Sequence, residues 1–175
     1  MTQEIIFAGF GGQGILSMGK FLAYAGMDAN LNVSWLPSYG PEMRGGTANC
    51  SVILSLDPIG SPIVTNPNTV VIMNRPSLDK FEKQMVEGGL LIMDSDLVTR
   101  DCDREDLEVI KIPAQREAEK LGSKKIANMI LLGALVKKTG VVSMEELLAA
   151  LKAHGKEKFY EANKAALEKG AEYVI

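Results

Sequence analysis

Four short runs set the architecture: residues 4–8 (EIIFA), 70–73 (VVIM), 90–93 (LLIM) and 109–112 (VIKI). Each is too short for a helix, and each is dominated by β-branched or large aliphatic residues, as a strand buried on both faces requires. Helical periodicity lies between them, over residues 13–27, 77–86, 114–121 and 126–139, with a last stretch at 157–169. Strands alternating with helices predict an α/β chain: a three-layer α/β/α arrangement with a mostly parallel central sheet and a helical C-terminal third. Two further strands are expected at residues 32–36 (NVSWL) and 47–56 (TANCSVILSL), the second pairing antiparallel at one side. In the first helix Gly19, Ala23 and Gly26 fall on one face with Ile15 and Leu22, so that helix should lie close to the sheet. Gly88-Gly89 and Gly140 read as helix stops, and Ser143 with Glu146 as a capping box. Residues 1–175 are read as a single domain.

The balance of 19 basic and 22 acidic residues, a net charge of −3, gives no basic surplus for a nucleic-acid partner. The charge run at 99–108 (TRDCDREDLE) reads as a solvated loop. The longest wholly apolar run, residues 129–136, falls short of a membrane span. The apolar N-terminal stretch lacks a positive leader and is broken by glycines, so it reads as strand and loop, and the expected location is the cytoplasm. Cys50 and Cys102 are the only cysteines. Two thiols cannot supply the four ligands of an iron–sulfur cluster or a structural zinc site, and both read as reduced, ordinary core residues.

Gly9, Gly11 and Gly14 form GxGxxG between a strand and a helix, with Gly12 and Gln13 inside the turn. Glycines there permit a tight turn and close backbone approach, and the helix start offers free N–H groups to an anion. A dinucleotide site also needs an acid after the second strand to hold the ribose, and the sequence there is Val33-Ser34-Trp35-Leu36. Three readings stay open: NAD or FAD binding by an autonomous nucleotide-binding protein, against which the missing acid counts; a tight turn that lets a neighbouring chain pack closely; or a seat for another phosphate, such as that of coenzyme A or thiamine diphosphate. The second unusual segment, residues 38–46 (SYGPEMRGG), follows the second strand and should share the carboxyl edge of the sheet with the glycine turn. Arg44 could grip a carboxylate or phosphate, Glu42 could pair with it, and Tyr39 and Met43 could anchor an interface.

No side chain reads as a catalyst or as a metal ligand. His154 lies in a lysine-rich stretch near a helix end and reads as a surface residue. Asn128 starts a helix, as a cap or with its amide turned toward the glycine turn. Trp35 reads as core or interface, and the scattered methionines as core filling.

GFGGQG after the first strand, SYGPEMRGGTANCSVILS, and residues 128–133 (NMILLG) together resemble the gamma subunit of 2-oxoacid:ferredoxin oxidoreductases, over nearly the whole chain. The same unit is a fused domain in larger pyruvate:ferredoxin oxidoreductases. The resemblance implies oxidative decarboxylation of a 2-oxoacid with acylation of coenzyme A and transfer of two electrons to ferredoxin. It implies alpha and beta partners that hold thiamine diphosphate, iron–sulfur clusters on beta or on a ferredoxin-like delta subunit, and a gamma chain inactive alone. Gly9, Gly11, Gly12, Gln13, Gly14, Tyr39, Glu42 and Arg44 would then face the shared active site or coenzyme A. The loop looks most like the 2-oxoglutarate type, with 2-oxoisovalerate close behind and pyruvate and indolepyruvate as alternatives. Separated from its partners, a gamma chain would carry an orphaned interface and could form a homodimer.

Overall fold

The computed structural model describes residues 1–38 and 47–174. The chain enters as β1 (Thr2–Phe10), passes through the glycine turn into α1 (Ile15–Asp28), and returns as β2 (Asn32–Pro37) and β3 (Thr47–Ser55). Next come β4 (Thr69–Ile72), α2 (Arg75–Phe81) with a 3₁₀ turn at Glu82–Gln84, β5 (Leu90–Asp94) and β6 (Glu108–Ile112). The last third holds α3 (Ala114–Lys120), a 3₁₀ turn at Lys124–Ile126, α4 (Ala127–Thr139), α5 (Met144–His154), a 3₁₀ turn at Glu157–Phe159 and α6 (Tyr160–Ala171).

The six strands form one sheet in the order β2-β3-β1-β4-β5-β6. β1, β4, β5 and β6 are parallel, with Phe7 opposite Val71 and Val71 opposite Ile92. β3 is antiparallel to both β1 and β2, so the expected antiparallel strand is present. Connections explain the mixture. A parallel neighbour needs a long crossover, and the nine residues between β2 and β3 are too few for one. β1 is longer than the expected run of five because it pairs with β3 from Thr2 to Phe10.

Helices cover both faces. One core gathers Ile5, Phe7, Cys50, Val52, Leu54 and Ile92 from the sheet with side chains of α1, α3, α4, α5 and α6. The other packs Ile6, Ile53, Ile72, Leu91 and Met93 against Leu78 and Phe81 of α2 and loop residues such as Val98 and Leu107. The small face of α1 does what its spacing predicts. A Cβ at Gly19 would lie 2.5 Å from Cys50 Sγ and 3.1 Å from Trp35 Nε1, so only glycine allows this approach. Trp35 is half-buried beneath the helix, and its indole N–H has no partner among the described residues. α4 and α6 meet in the same way: a Cβ on Gly133 would strike the backbone of Leu167, and one on Gly170 the carbonyl of Ile130.

Three expectations need correction. The helix expected at 77–86 starts at Arg75, because the Asn74 side chain accepts from Ser77 N at 3.0 Å and Pro76 supplies a preset first turn. It leaves α geometry at Phe81. The charge run at 99–108 is a loop, yet it is not merely solvated. Arg100 donates to Asp79 and, at 2.6 Å, to Glu82, which is 1% exposed, while Arg104 donates to the carbonyls of Glu82 and Met85. Gly140 is the expected stop, left-handed at φ 60°, and the reciprocal Ser143–Glu146 box is in place, whereas Gly88-Gly89 ends no helix: the 3₁₀ turn is over at Gln84, and left-handed Gly88 leads the chain into β5.

Candidate functional site

The glycine turn leaves the carboxyl edge of the sheet at Phe10 and enters α1 at Ile15. Its shape is braced from three directions. The Gln13 side chain works inside the turn: its Oε1 accepts from Phe10 N at 2.5 Å, and its Nε2 donates to the Met73 carbonyl at 3.1 Å, joining the turn to the end of β4. Gly9 is buried against this brace, where a Cβ would lie 2.5 Å from Gln13 Oε1 and 2.7 Å from Ile15 Cδ1. Gly14 caps α1 in the left-handed conformation, φ 75°, which costs a side-chain-bearing residue roughly 1–2 kcal/mol. Its carbonyl accepts twice, from Met18 N at 3.1 Å and from Asn128 Nδ2 at 3.2 Å. Asn128 therefore takes the second of its two readings: α4 already begins at Ala127, and the amide reaches the turn.

What the turn presents outward is backbone. Gly11 and Gly12 are exposed, and Gly12 has open space around it. The first N–H groups of a helix have no intrahelical partner, and α1 has no capping side chain and no acid in its first turn. That end favours an anion by its partial positive charge.

A cleft of about 720 Å³ opens beside the turn. Gly12, Gly14 and Asn128 form one wall, Ser17, Lys20 and Tyr24 of α1 the floor, and Lys125, His154, Lys156 and Phe159 the remaining sides. None of the three lysines is in an ion pair among the described residues. Tyr24 and His154 stack in parallel, with centroids 3.6 Å apart and planes 8° from each other. A second, smaller hollow of about 200 Å³ lies on the other side of the turn, lined by Gly12, Gln13, Met73, Gln115, Lys124 and Asn128. Free backbone donors, three unpaired ammonium groups and an aromatic face suit an anionic ligand with a planar group.

The second predicted segment meets the first at its ends. Phe10 pairs with Thr47 and Pro37 with Cys50, so both described flanks of residues 38–46 emerge at the edge that carries the turn. Tyr39, Glu42 and Arg44 lie outside the described residues. Asp94 also ends a strand at this edge. Burial pushes its carboxyl above the usual range, although Gln115 Nε2 donates to it at 2.8 Å and Asp96 N at 3.0 Å. Among the described residues no group of three His, Cys, Asp or Glu is placed to hold a metal. Burial pushes the Cys50 thiol up to about 12, and it packs against the core, not the cleft.

Sequence reasoning found the turn and missed the cleft. Lys20, Lys125 and Lys156 come from segments far apart in the chain, so no local pattern groups them. His154 is exposed, as expected, but its ring is held against Tyr24, a pairing the sequence does not signal.

A family model described as pyruvate ferredoxin/flavodoxin oxidoreductase matches residues 4–173. The chain is 40% identical, over 98% of its length, to the ketoisovalerate oxidoreductase subunit VorA of Methanothermobacter thermautotrophicus, of which it spans only 36%. It is 37% identical to the 2-oxoglutarate synthase subunit KorC of Methanocaldococcus jannaschii, over 98% of this chain and 94% of that one. Its fold is similar to that of the keto/oxoacid ferredoxin oxidoreductase gamma subunit from Geobacter sulfurreducens, with a TM-score of 0.89, 32% identity and coverage of 99% and 96%. It is also similar to part of 2-oxoglutarate:ferredoxin oxidoreductase from Magnetococcus marinus, a structure with 2-oxoglutarate, coenzyme A and succinyl-CoA bound, at a TM-score of 0.87, 26% identity and coverage of 98% and 31%.

Proposed function

This chain belongs to the pyruvate ferredoxin/flavodoxin oxidoreductase family, and on that premise we propose that it is the gamma-type subunit of a complex that oxidatively decarboxylates a 2-oxoacid, forms an acyl-CoA and reduces ferredoxin. Alpha and beta subunits, and a ferredoxin-like delta subunit, would be its partners in the cytoplasm. Spanning 94% of one relative, the chain has the size of a separate subunit; spanning 36% of another, it has the size of a domain within a longer chain.

The residues present decide which cofactor this chain could meet. Two cysteines, one of them buried, do not suit an iron–sulfur cluster, which belongs on the partners. The cleft beside the glycine turn does suit coenzyme A. The observation that carries this reading is the convergence of Lys20, Lys125 and Lys156 on the uncapped start of α1. Backbone N–H groups at Gly12 and beyond, with those lysines, would receive phosphates, and the Tyr24–His154 stack offers a face to a base. When bound, coenzyme A supplies the thiol that accepts the acyl group. This chain's part is to hold the ligand, orient it and screen its charge; no side chain described here moves a proton in the reaction. Residues 38–46, with Tyr39, Glu42 and Arg44, would complete the site from the same edge.

Of the oxoacids, 2-oxoglutarate is favoured by the SYGPEMRGG loop and by likeness to a KorC subunit; the similar identity to VorA supports 2-oxoisovalerate as the second reading. Reconstitution tests both. The chain is combined with its alpha, beta and delta partners, and coenzyme A-dependent reduction of a low-potential dye is followed with 2-oxoglutarate, 2-oxoisovalerate and pyruvate. Activity that requires this chain supports the subunit reading, and the preferred acid names the substrate. Full activity without it ends that reading.

A further inference from the structure

We infer that Asn128 is a positioning residue that sets the ligand-facing geometry of the glycine turn from the opposite helix; the inference rests on the reading that this turn meets coenzyme A. The observations are independent of that reading. Residues 127 to 136 of α4 are buried without exception, and Asn128 is the one strongly polar side chain among them, 5% exposed. A buried amide costs stability unless its donors and acceptors are met. The helix does not use it as a cap, since α4 starts from Ile126 with no side-chain hydrogen bond. Its Nδ2 instead crosses to the Gly14 carbonyl at 3.2 Å, over a separation of 114 residues.

That carbonyl is the pivot of the turn. Gly14 is left-handed, and a peptide in this conformation can relax toward other geometries unless its carbonyl is held. Met18 N holds it along the axis of α1, and Asn128 ties it to α4. Across the planar trans peptide the N–H of Ile15 points opposite to that carbonyl, toward the open start of α1. Asn128 also lines both hollows that flank the turn. It therefore sets where the donors point without adding charge of its own, and it ties their direction to the position of α4.

The test uses the reconstituted complex, with initial rates measured against coenzyme A concentration from pH 6 to pH 8.5 and folding monitored by thermal unfolding. Asn128→Ala is expected to raise the KM for coenzyme A about tenfold, the factor given by one lost hydrogen bond of ordinary strength, with kcat held within about twofold. Asn128→Asp keeps the shape, but its ionised carboxylate only accepts and has no hydrogen to give the Gly14 carbonyl. At the alkaline end its KM should be raised at least as far as that of Asn128→Ala, about tenfold, although the space beside Gly14 stays filled, a result that a loss of packing does not produce. Should Asn128→Ala fail to fold, Asn128→Asp still reads the same bond. Folded Asn128→Ala and Asn128→Asp variants that keep the wild-type KM overturn the inference. A wild-type chain that adds no coenzyme A-dependent activity overturns the proposed function instead, and the two failures are distinguishable.

Discussion

Gly14 answers three demands at one position: a φ of 75°, a carbonyl shared by Met18 N and Asn128 Nδ2, and no room for a Cβ against the Asn128 amide. Gly12 meets only the first, with φ 87° and open space around it. Gly14→Ala should therefore lower stability by more than Gly12→Ala, for which the backbone cost of about 1–2 kcal/mol stands alone. Differential scanning calorimetry of the two variants checks the order; equal losses would mean the Asn128 contact is slack. Glu82 makes a second residue-scale prediction. Burial raises its pKa, but hydrogen bonds from Arg100 and from Asp103 N outweigh that, and the net shift is downward. A carboxyl held below its unfolded value stabilises the fold at neutral pH, and that contribution is lost as pH falls from about 4.3 through the depressed folded value. Glu82→Gln should cost about 2 kcal/mol at pH 7 and flatten the fall in Tm below about pH 4.5. Thermal scans between pH 3 and pH 7 decide it. An equally steep acid limb in the variant would assign the fall to other carboxylates. Only part of this is legible in the sequence. GxGxxG announces a turn, whereas the burial of Glu82 depends on Arg100 arriving from a loop that reads as solvated.

The elements themselves were largely readable. Short apolar runs at 70–73 and 90–93 became β4 and β5, because strands buried on both faces have no polar side to confuse the pattern. The start of α2 was readable too, since Asn74 and Pro76 are its cap and its first turn, but the apolar spacing pointed further along the chain. Helix packing was less legible. Gly133 and Gly170 look like weak points in α4 and α6, and they are where the two helices touch backbone to backbone. Filling that contact should force the helices apart. Gly170→Ala is expected to cost about 1–3 kcal/mol, the usual range for overpacking, and to lower the urea midpoint accordingly. An unchanged midpoint would show that α6 can shift without loss. The cleft was not legible at this scale, because its walls come from α1 and from segments after α3 that only the folded chain brings together.

At the scale of the whole molecule the two edges of the sheet differ. β6 is guarded by charge, through Glu108 paired with Lys138 and Lys111 with Asp101. β2 has no charged residue, its Leu36 is 42% exposed, and Phe10 at the end of β1, on the far side of β3, is 44% exposed. An unguarded edge with apolar neighbours invites pairing. The isolated chain should self-associate, and Leu36→Lys should shift it toward monomer in sedimentation velocity; an unchanged distribution would place the contact elsewhere. The long reach of Asn128 also has a consequence in time. During synthesis the glycine motif emerges well before the amide that shapes it, which arrives 114 residues later with α4, and α4 is seated in turn by α6. Closing so long a loop is entropically slow, so contacts of this separation form late in folding. A nascent chain that has released only β1 to β3 lacks the Asn128 brace on the motif. On the proposed function, competence to bind coenzyme A would then wait for α4 to dock, and a braced turn would mark a chain whose folding is complete.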